Sequence, residues 1–187
     1  SAWGFTNMGP DVQDLYIEKI NPANPNQYEV DGEWKDMERF TEIIYLPNQE
    51  PIVIEVRETH HGPILSDRDY PINNIEFSEQ SRIELPENYA ISLSWTALHP
   101  GKTFQSIRDF NYMKNYEEFR EATKNFHVPA QNLLYADIDG NIAYQSPGLI
   151  PIRAEGHSGQ YPIPGWDSSN DWKGFVPFDS LPFILNP

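Results

Sequence analysis

The sequence predicts a strand-rich α+β protein, and three observations carry that reading. Short β-branched and aromatic runs recur between clusters of Pro, Asn, Asp and Gly, the punctuation of strands and hairpins. One central stretch, 104–126, changes to helical spacing. Proline is abundant at 17 of 187 residues, which marks a loop-rich chain, while 39% hydrophobic and 13% aromatic residues supply a core and exclude wholesale disorder.

The elements follow in order. Residues 15–20 read as a short apolar strand, ended by the breaker stretch Asn21-Pro-Ala-Asn-Pro-Asn26. Residues 28–30 and 33–35 flank Asp31-Gly32, a hairpin signal because that dipeptide accepts positive φ. Residues 40–46 and 52–57 are β-branched runs on either side of Pro47-Asn-Gln-Glu-Pro51, a further strand–turn–strand. Residues 90–96 alternate large and small side chains, as a half-buried strand does. Ile107, Phe110 and Met113, then Tyr116, Phe119, Thr123 and Phe126, predict two helices near 104–126. Asn115 with Glu118 resembles a capping box, and Pro129 stops the second helix. Residues 133–138 and 141–144 around Asp139-Gly140 predict a second hairpin, and the Pro-, Gly- and Trp-rich tail from Pro147 reads as a long packed loop.

Composition narrows the function. Lys and Arg number 13 against 28 Asp and Glu, a net charge of −15. Duplex DNA and anionic membrane surfaces reward a basic footprint and are disfavoured as partners. No run of 18 apolar residues is present, the length a helix needs to cross a bilayer. Residues 1–20 show no basic segment followed by an apolar one, so no signal peptide is expected in this stretch. The absence of cysteine excludes thiol nucleophiles, disulfides and thiolate zinc sites within the chain. The abrupt ends at Ser1 and Pro187 read as those of an excised piece.

Several constellations bear on chemistry. Asp11-Val-Gln-Asp14 offers two carboxylates and a main-chain carbonyl to a hard cation, or is a solvated turn or helix cap. Asp137-Ile-Asp139-Gly140-Asn141 opens like a calcium loop, but the twelfth position, which needs a bidentate Glu, is Gly148, so it reads as a hairpin turn. Adjacent His60 and His61 on a strand point to opposite faces, so they read as turn histidines rather than a metal pair. His99, His127 and His157 are scattered, with no G-x-S-x-G elbow and no G-x-G-x-x-G.

Longer strings go further. Trp3-Gly-Phe-Thr-Asn7, Gly9-Pro-Asp-Val-Gln-Asp-Leu-Tyr-Ile-Glu18, Thr59-His-His-Gly-Pro63 and Trp95-Thr-Ala-Leu98 come first. Pro129-Ala-Gln-Asn132, Tyr135-Ala-Asp-Ile-Asp-Gly-Asn-Ile142, Pro162-Ile-Pro-Gly-Trp166, Trp172-Lys-Gly174 and Pro177-Phe-Asp179 follow in order. Together they resemble the β-subunit of the penicillin amidase (penicillin acylase) family, from Trp3 to Pro187.

The resemblance implies part of an αββα sandwich of the N-terminal nucleophile (Ntn) hydrolases. Residues 22–70 are then an inserted β-rich subdomain, and 71–187 hold strands, two helices, the hairpin and the long loop. It implies an amide hydrolase whose N-terminal Ser forms an acyl-enzyme with side-chain acyl groups of penicillin-like or other N-acyl substrates. That Ser falls outside this chain, as does the oxyanion Asn, so Ser1 is read as a boundary residue and the fragment alone as inactive. Asn7 matches the position whose backbone N–H is an oxyanion donor. Phe5, Gly9 and Gln131 fall at acyl-pocket positions, and Gly9 replaces a bulky residue of some relatives. Asp11, Gln13 through its carbonyl, and Asp14 align with ligands of a structural Ca²⁺; no organic cofactor is implied. The implied partners are the α-subunit and the remainder of the β-subunit of one precursor, with no nucleic acid, in an extracellular or periplasmic setting. Self-association of the fragment is expected from exposed sheet edges. The alternatives are an acyl-homoserine-lactone or lipopeptide acylase, or a non-catalytic calcium-binding or packing module.

Overall fold

The computed structural model describes residues 1–67 and 85–187. The expected boundary at 70–71 lies outside the described residues. The strands are β1 (Ala2–Asn7), β2 (Gln13–Lys19), β3 (Gln27–Val30), β4 (Glu33–Asp36), β5 (Glu38–Ile44), β6 (Ile52–Thr59), β7 (Gly62–Pro63) and β8 (Tyr89–Trp95). Then come helices α1 (Thr103–Phe110) and α2 (Tyr116–Thr123), and strands β9 (Gln131–Ala136), β10 (Ile142–Gln145), β11 (Ile163–Pro164) and β12 (Phe183–Leu185). They divide into two compact units: residues 1–12, 95–153 and 172–187, and residues 13–94 and 154–171.

The first unit is an antiparallel sheet in the order β1-β9-β10-β12 with the helices on one face. Period-2 alternation decides which side the helices cover. Leu133 and Tyr135 of β9 are buried with Phe110, Met113, Phe119, Ala122 and Phe126, and Trp3 of β1 packs against them. Leu134, between them, points the other way and is 54% exposed. Asn115 caps α2 by accepting the Glu118 N–H at 2.9 Å, while the Glu118 carboxylate accepts the Lys114 N–H at 2.8 Å. The box is therefore closed one residue earlier than its standard form. The Arg120 guanidinium sits 4.1 Å from the Phe183 ring and donates to Asp179 at 2.9 Å, which fastens the last segment beside α2.

The second unit holds the sheets β11-β2-β8, β3-β4 and β5-β6-β7. Its core is Ile20, Tyr28, Val30, Met37, Ile64 and Ala90. Asp31 and Gly32 have φ of 52° and 85°, the left-handed pair that a two-residue hairpin loop requires. The Asp139-Gly140 hairpin is built differently. Only Gly140 is left-handed, and the five-residue loop winds around the Asp137 carboxylate. That carboxylate accepts the N–H of Asp139 (3.0 Å), the N–H and amide of Asn141 (2.9 Å each) and the Tyr135 hydroxyl (2.9 Å). The bond from the Asn141 side chain leads in holding its carboxyl below the ordinary value.

Four strands depart from the sequence reading: β1, β11, β12 and the two-residue β7, which pairs with the end of β6. β1 was not expected, since Gly4 interrupts its apolar alternation, yet it pairs with β9 from Ala2↔Ala136 to Asn7↔Gln131. β11 and β12, within the tail read as loop, have two and three residues and exist through their partners β2 and β10. Such lengths carry no readable period.

Gly148 joins β10 to the tail at φ 146°, where a Cβ would lie 2.4 Å from the Cβ and 2.8 Å from the Cα of Ala130. Gly148→Ala in the full protein is expected to cost about 1–3 kcal/mol, read as a lower melting temperature, with partial recovery on adding Ala130→Gly. An unchanged melting temperature contradicts the packing described.

Candidate functional site

β2 carries the chemistry of the second unit. Its inward face reads Asp14, Tyr16, Glu18, so strict alternation buries two carboxylates where a strand usually buries aliphatic side chains. A buried carboxylate is tolerated when it is paired and hydrogen-bonded, and each of the two faces a histidine. Asp14 Oδ2 lies 3.6 Å from His157 Nε2, and Glu18 Oε1 lies 2.8 Å from His61 Nδ1.

Glu18 is fully buried, and one of its oxygens takes three donors. The Ser92 hydroxyl of β8 donates at 2.6 Å, the Thr59 hydroxyl at the end of β6 at 2.8 Å, and His61 Nδ1 at 2.8 Å. Burial pushes the Glu18 carboxyl up, but the His61 imidazole and the two hydroxyls outweigh it, and it stays ionised below its ordinary value. Its other oxygen has no hydrogen-bond partner among the described residues. That oxygen packs on Gly165, where a Cβ would come within 2.5 Å of it.

His61 is held from both ends. Its ring stacks on Tyr16 at 3.6 Å and 6°, and its Nε2 lies 3.1 Å from Asp171 Oδ1. His60 turns the same way: its Nε2 is 3.5 Å from Asp171 Oδ2, its Nδ1 is 3.2 Å from the Tyr28 hydroxyl, and its ring centroid is 3.8 Å from that of His61. The strand argument that separated the two imidazoles therefore fails here. They occupy the turn between β6 and β7, where the alternation of a strand does not apply, and both reach one carboxylate.

The residues singled out in the sequence fall as follows. In the first unit, Asn7 ends β1 directly opposite Gln131, Phe5 lies two residues earlier, and Gly9 lies two residues later at φ 67°. Phe5 is 58% exposed and stacks on Trp3 at 6.2 Å. Gln131 is buried, and its Oε1 has no hydrogen-bond partner among the described residues. Among the described residues, nothing lies within 4 Å of where a Gly9 Cβ would sit. Asp11 is the penultimate residue of that unit's first segment, and its carboxylate pairs with Arg153 at 2.9 Å. Gln13 and Asp14 open β2 in the second unit, Gln13 exposed and Asp14 buried.

Glu18, Ser92 and Asp171 went unnoticed in the sequence. The available signal was the period: once β2 is a strand, Asp14 and Glu18 share a face with Tyr16. Nothing local marks Asp171, which joins the cluster from the far end of the chain.

Fold and site define a strand-rich α+β segment with two helices on one face of an antiparallel sheet. The penicillin amidase family model matches residues 1–187. The chain belongs to that family, within the N-terminal nucleophile hydrolases. It is 31% identical over 176 residues to the acyl-homoserine lactone acylase QuiP of Pseudomonas aeruginosa, covering 94% of this chain and 20% of that protein. It is 31% identical over 189 residues to penicillin G acylase of Escherichia coli, covering 100% of this chain and 20% of that protein. The structure of the thermostable penicillin G acylase from Alcaligenes faecalis superimposes with a TM-score of 0.78 at 27% identity, covering 100% of this chain and 31% of that one. The chain thus spans about a fifth of the length of the curated relatives it matches.

Two substitutions probe the buried acid. Glu18→Ala strands His61, Thr59 and Ser92 without their acceptor and is expected to destabilise the full protein by about 3–5 kcal/mol. Gly165→Ala drives a methyl group against the Glu18 carboxylate and is expected to cost about 1–3 kcal/mol. Urea unfolding followed by tryptophan fluorescence measures both, and a cost below 1 kcal/mol for Glu18→Ala contradicts the network.

Proposed function

We propose that the full protein carrying this chain is an amide-hydrolysing acylase. The observation that carries the reading is the match of the penicillin amidase family model across residues 1–187. In this reading a serine at the N-terminus of the mature subunit, outside residues 1–187, attacks the substrate's amide carbonyl. Its own α-amine accepts the hydroxyl proton, which suits a group titrating near 7.7–8.0. The amine product leaves with a proton, and water hydrolyses the acyl ester to release the acid and restore the serine. The backbone N–H of Asn7 stabilises the oxyanion together with an Asn side chain also outside this chain; one such donor is worth about 10²–10³ in rate. Phe5, Gly9 and Gln131 bound the acyl group. The grouping of Phe5, Asn7 and Gln131 at one end of the β1–β9 pair supports this, as does the unpartnered buried oxygen of Gln131, costly to leave unbonded.

A second reading, hydrolysis of acyl-homoserine lactones, is favoured by five relatives named for that activity at 29–31% identity and by the open space beside Gly9. Released amine, assayed on the full processed protein with a panel of phenylacetyl amides, penicillins and acyl-homoserine lactones, separates the two. Turnover of at least one class supports an acylase, and none by correctly processed protein contradicts it. Residues 1–187 alone are expected to show no turnover, since the nucleophile lies elsewhere.

The carboxylates of Asp11 and Asp14 and the Gln13 carbonyl hold a structural Ca²⁺ in this reading. An all-oxygen donor set suits that ion, and burial of Asp14 suits a carboxylate that takes a cationic partner. The remaining ligands come from elsewhere in the protein. Calorimetry on the full protein is expected to show at least tenfold weaker Ca²⁺ binding for Asp14→Ala; undiminished affinity contradicts the assignment. The remaining partners, the α-subunit and the rest of the β-subunit, are supported by Leu134, Ile142 and Ile184, exposed apolar residues on the strands of the first unit's sheet. A periplasmic or extracellular setting completes the proposal.

A further inference from the structure

His60, His61 and Asp171 form a donor set distinct from the all-oxygen calcium ligands. One atom from each, two imidazole nitrogens and a carboxylate oxygen, lie within 4.8 Å of one another. We propose that this triad is a binding site for a divalent transition-metal ion, of which Zn²⁺ is the natural occupant.

The case starts with His61. Ionised Glu18 can only accept, so His61 Nδ1 carries a proton and donates it. Its Nε2 then faces Asp171 Oδ1 at 3.1 Å, and His60 Nε2 faces the other oxygen of the same carboxylate at 3.5 Å. Two imidazole nitrogens converge on one carboxylate, an arrangement that a single divalent ion can bridge. The supporting shell is that of known metal histidines, whose second ring nitrogen is held by a carboxylate or another polar group. Glu18 does this for His61, and the Tyr28 hydroxyl, 3.2 Å from Nδ1, does it for His60. Tyr16 stacked on His61 fixes the ring plane.

Donor type selects the ion. Two nitrogens and one carboxylate suit Zn²⁺, Co²⁺ or Ni²⁺, whereas Ca²⁺ takes 6–8 oxygens. A tetrahedral ion with bonds of about 2.0–2.2 Å needs ligand separations of roughly 3.3–3.6 Å, so the triad closes by about 1 Å. His60 has room for that movement: it sits on a turn, with its side chain 34% exposed. The partial exposure of His60 and Asp171 gives the ion a path in and leaves a fourth position to water. An ion here ties the β6–β7 turn to the segment following β11 within the second unit.

The test uses the full protein, stripped with chelator and then saturated with Ca²⁺ so that oxygen sites are filled, and titrated with ZnCl₂ by calorimetry. The expected result is a zinc site of micromolar or tighter affinity that His60→Ala and Asp171→Asn each weaken at least tenfold, while His99→Gln, at an exposed position in the first unit, leaves it unchanged. Zinc is also expected to raise the melting temperature of the wild type and not of His60→Ala, whose half-exposed position permits folding. Equal zinc affinity and stoichiometry in the wild type and both triad variants overturns the proposal, as does the absence of zinc uptake by the wild type. In either case the triad is a proton-bridged network only.

Discussion

The second unit depends on one buried negative charge. Taking a carboxylate out of water costs several kcal/mol even after relaxation, and the fold meets that cost at Glu18 by bringing donors to it from three places: the end of β6, the turn after it, and β8. β8 already pairs with β2 and bridges to the segment after the turn at Ile64↔Ser92, and the acid adds side-chain bonds that tie the three segments at one point. Gly165 lacks a side chain where the carboxylate packs, and Tyr16, two residues from Glu18 on the same face, clamps the ring that Glu18 orients. The network is thus both a constraint on β2 and the origin of the His60–His61–Asp171 geometry.

The first unit is held by different physics. Its helices and sheet share an aromatic cluster in which Phe110 contacts Phe119, Phe126 and Trp3 at centroid distances of 4.9–6.2 Å. Such a core is insensitive to charge and rewards area and shape. It orders β1 and β9, and with them the end at which Asn7 faces Gln131. A rigid scaffold presenting a few polar atoms at a strand end is how sites are commonly built. The same sheet also carries exposed aliphatic residues, and the curated relatives are about five times longer than this chain.

Much of this was legible in the sequence, where local rules act alone. The Asp31-Gly32 hairpin, the run of β5 and β6, and both helices with their Asn115 cap followed from dihedral preference, alternation and spacing. Legibility failed where tertiary partners decide. β1 contains a glycine, β11 and β12 are too short to show a period, and the Asp139-Gly140 loop is organised by a carboxylate two residues before that dipeptide. The candidate sites divide the same way. Asp11, Asp14 and Asn7 enter the proposal through the family resemblance of their segments, whereas Asp171 reaches His60 and His61 across more than a hundred residues. The two histidines were noticed and then separated by a rule for strands that a turn does not obey.

The claim that Glu18 is the shared anchor is tested most directly by a double-mutant cycle with Ser92→Ala and Glu18→Ala in the full protein, each variant unfolded in urea. A hydrogen bond to a charged group contributes about 1.5–3 kcal/mol, so Ser92→Ala should cost that much in the wild-type background and close to nothing once Glu18 is gone. An equal cost in both backgrounds would mean that the two side chains act independently, and the carboxylate would not be what draws β8 and the β6–β7 turn together.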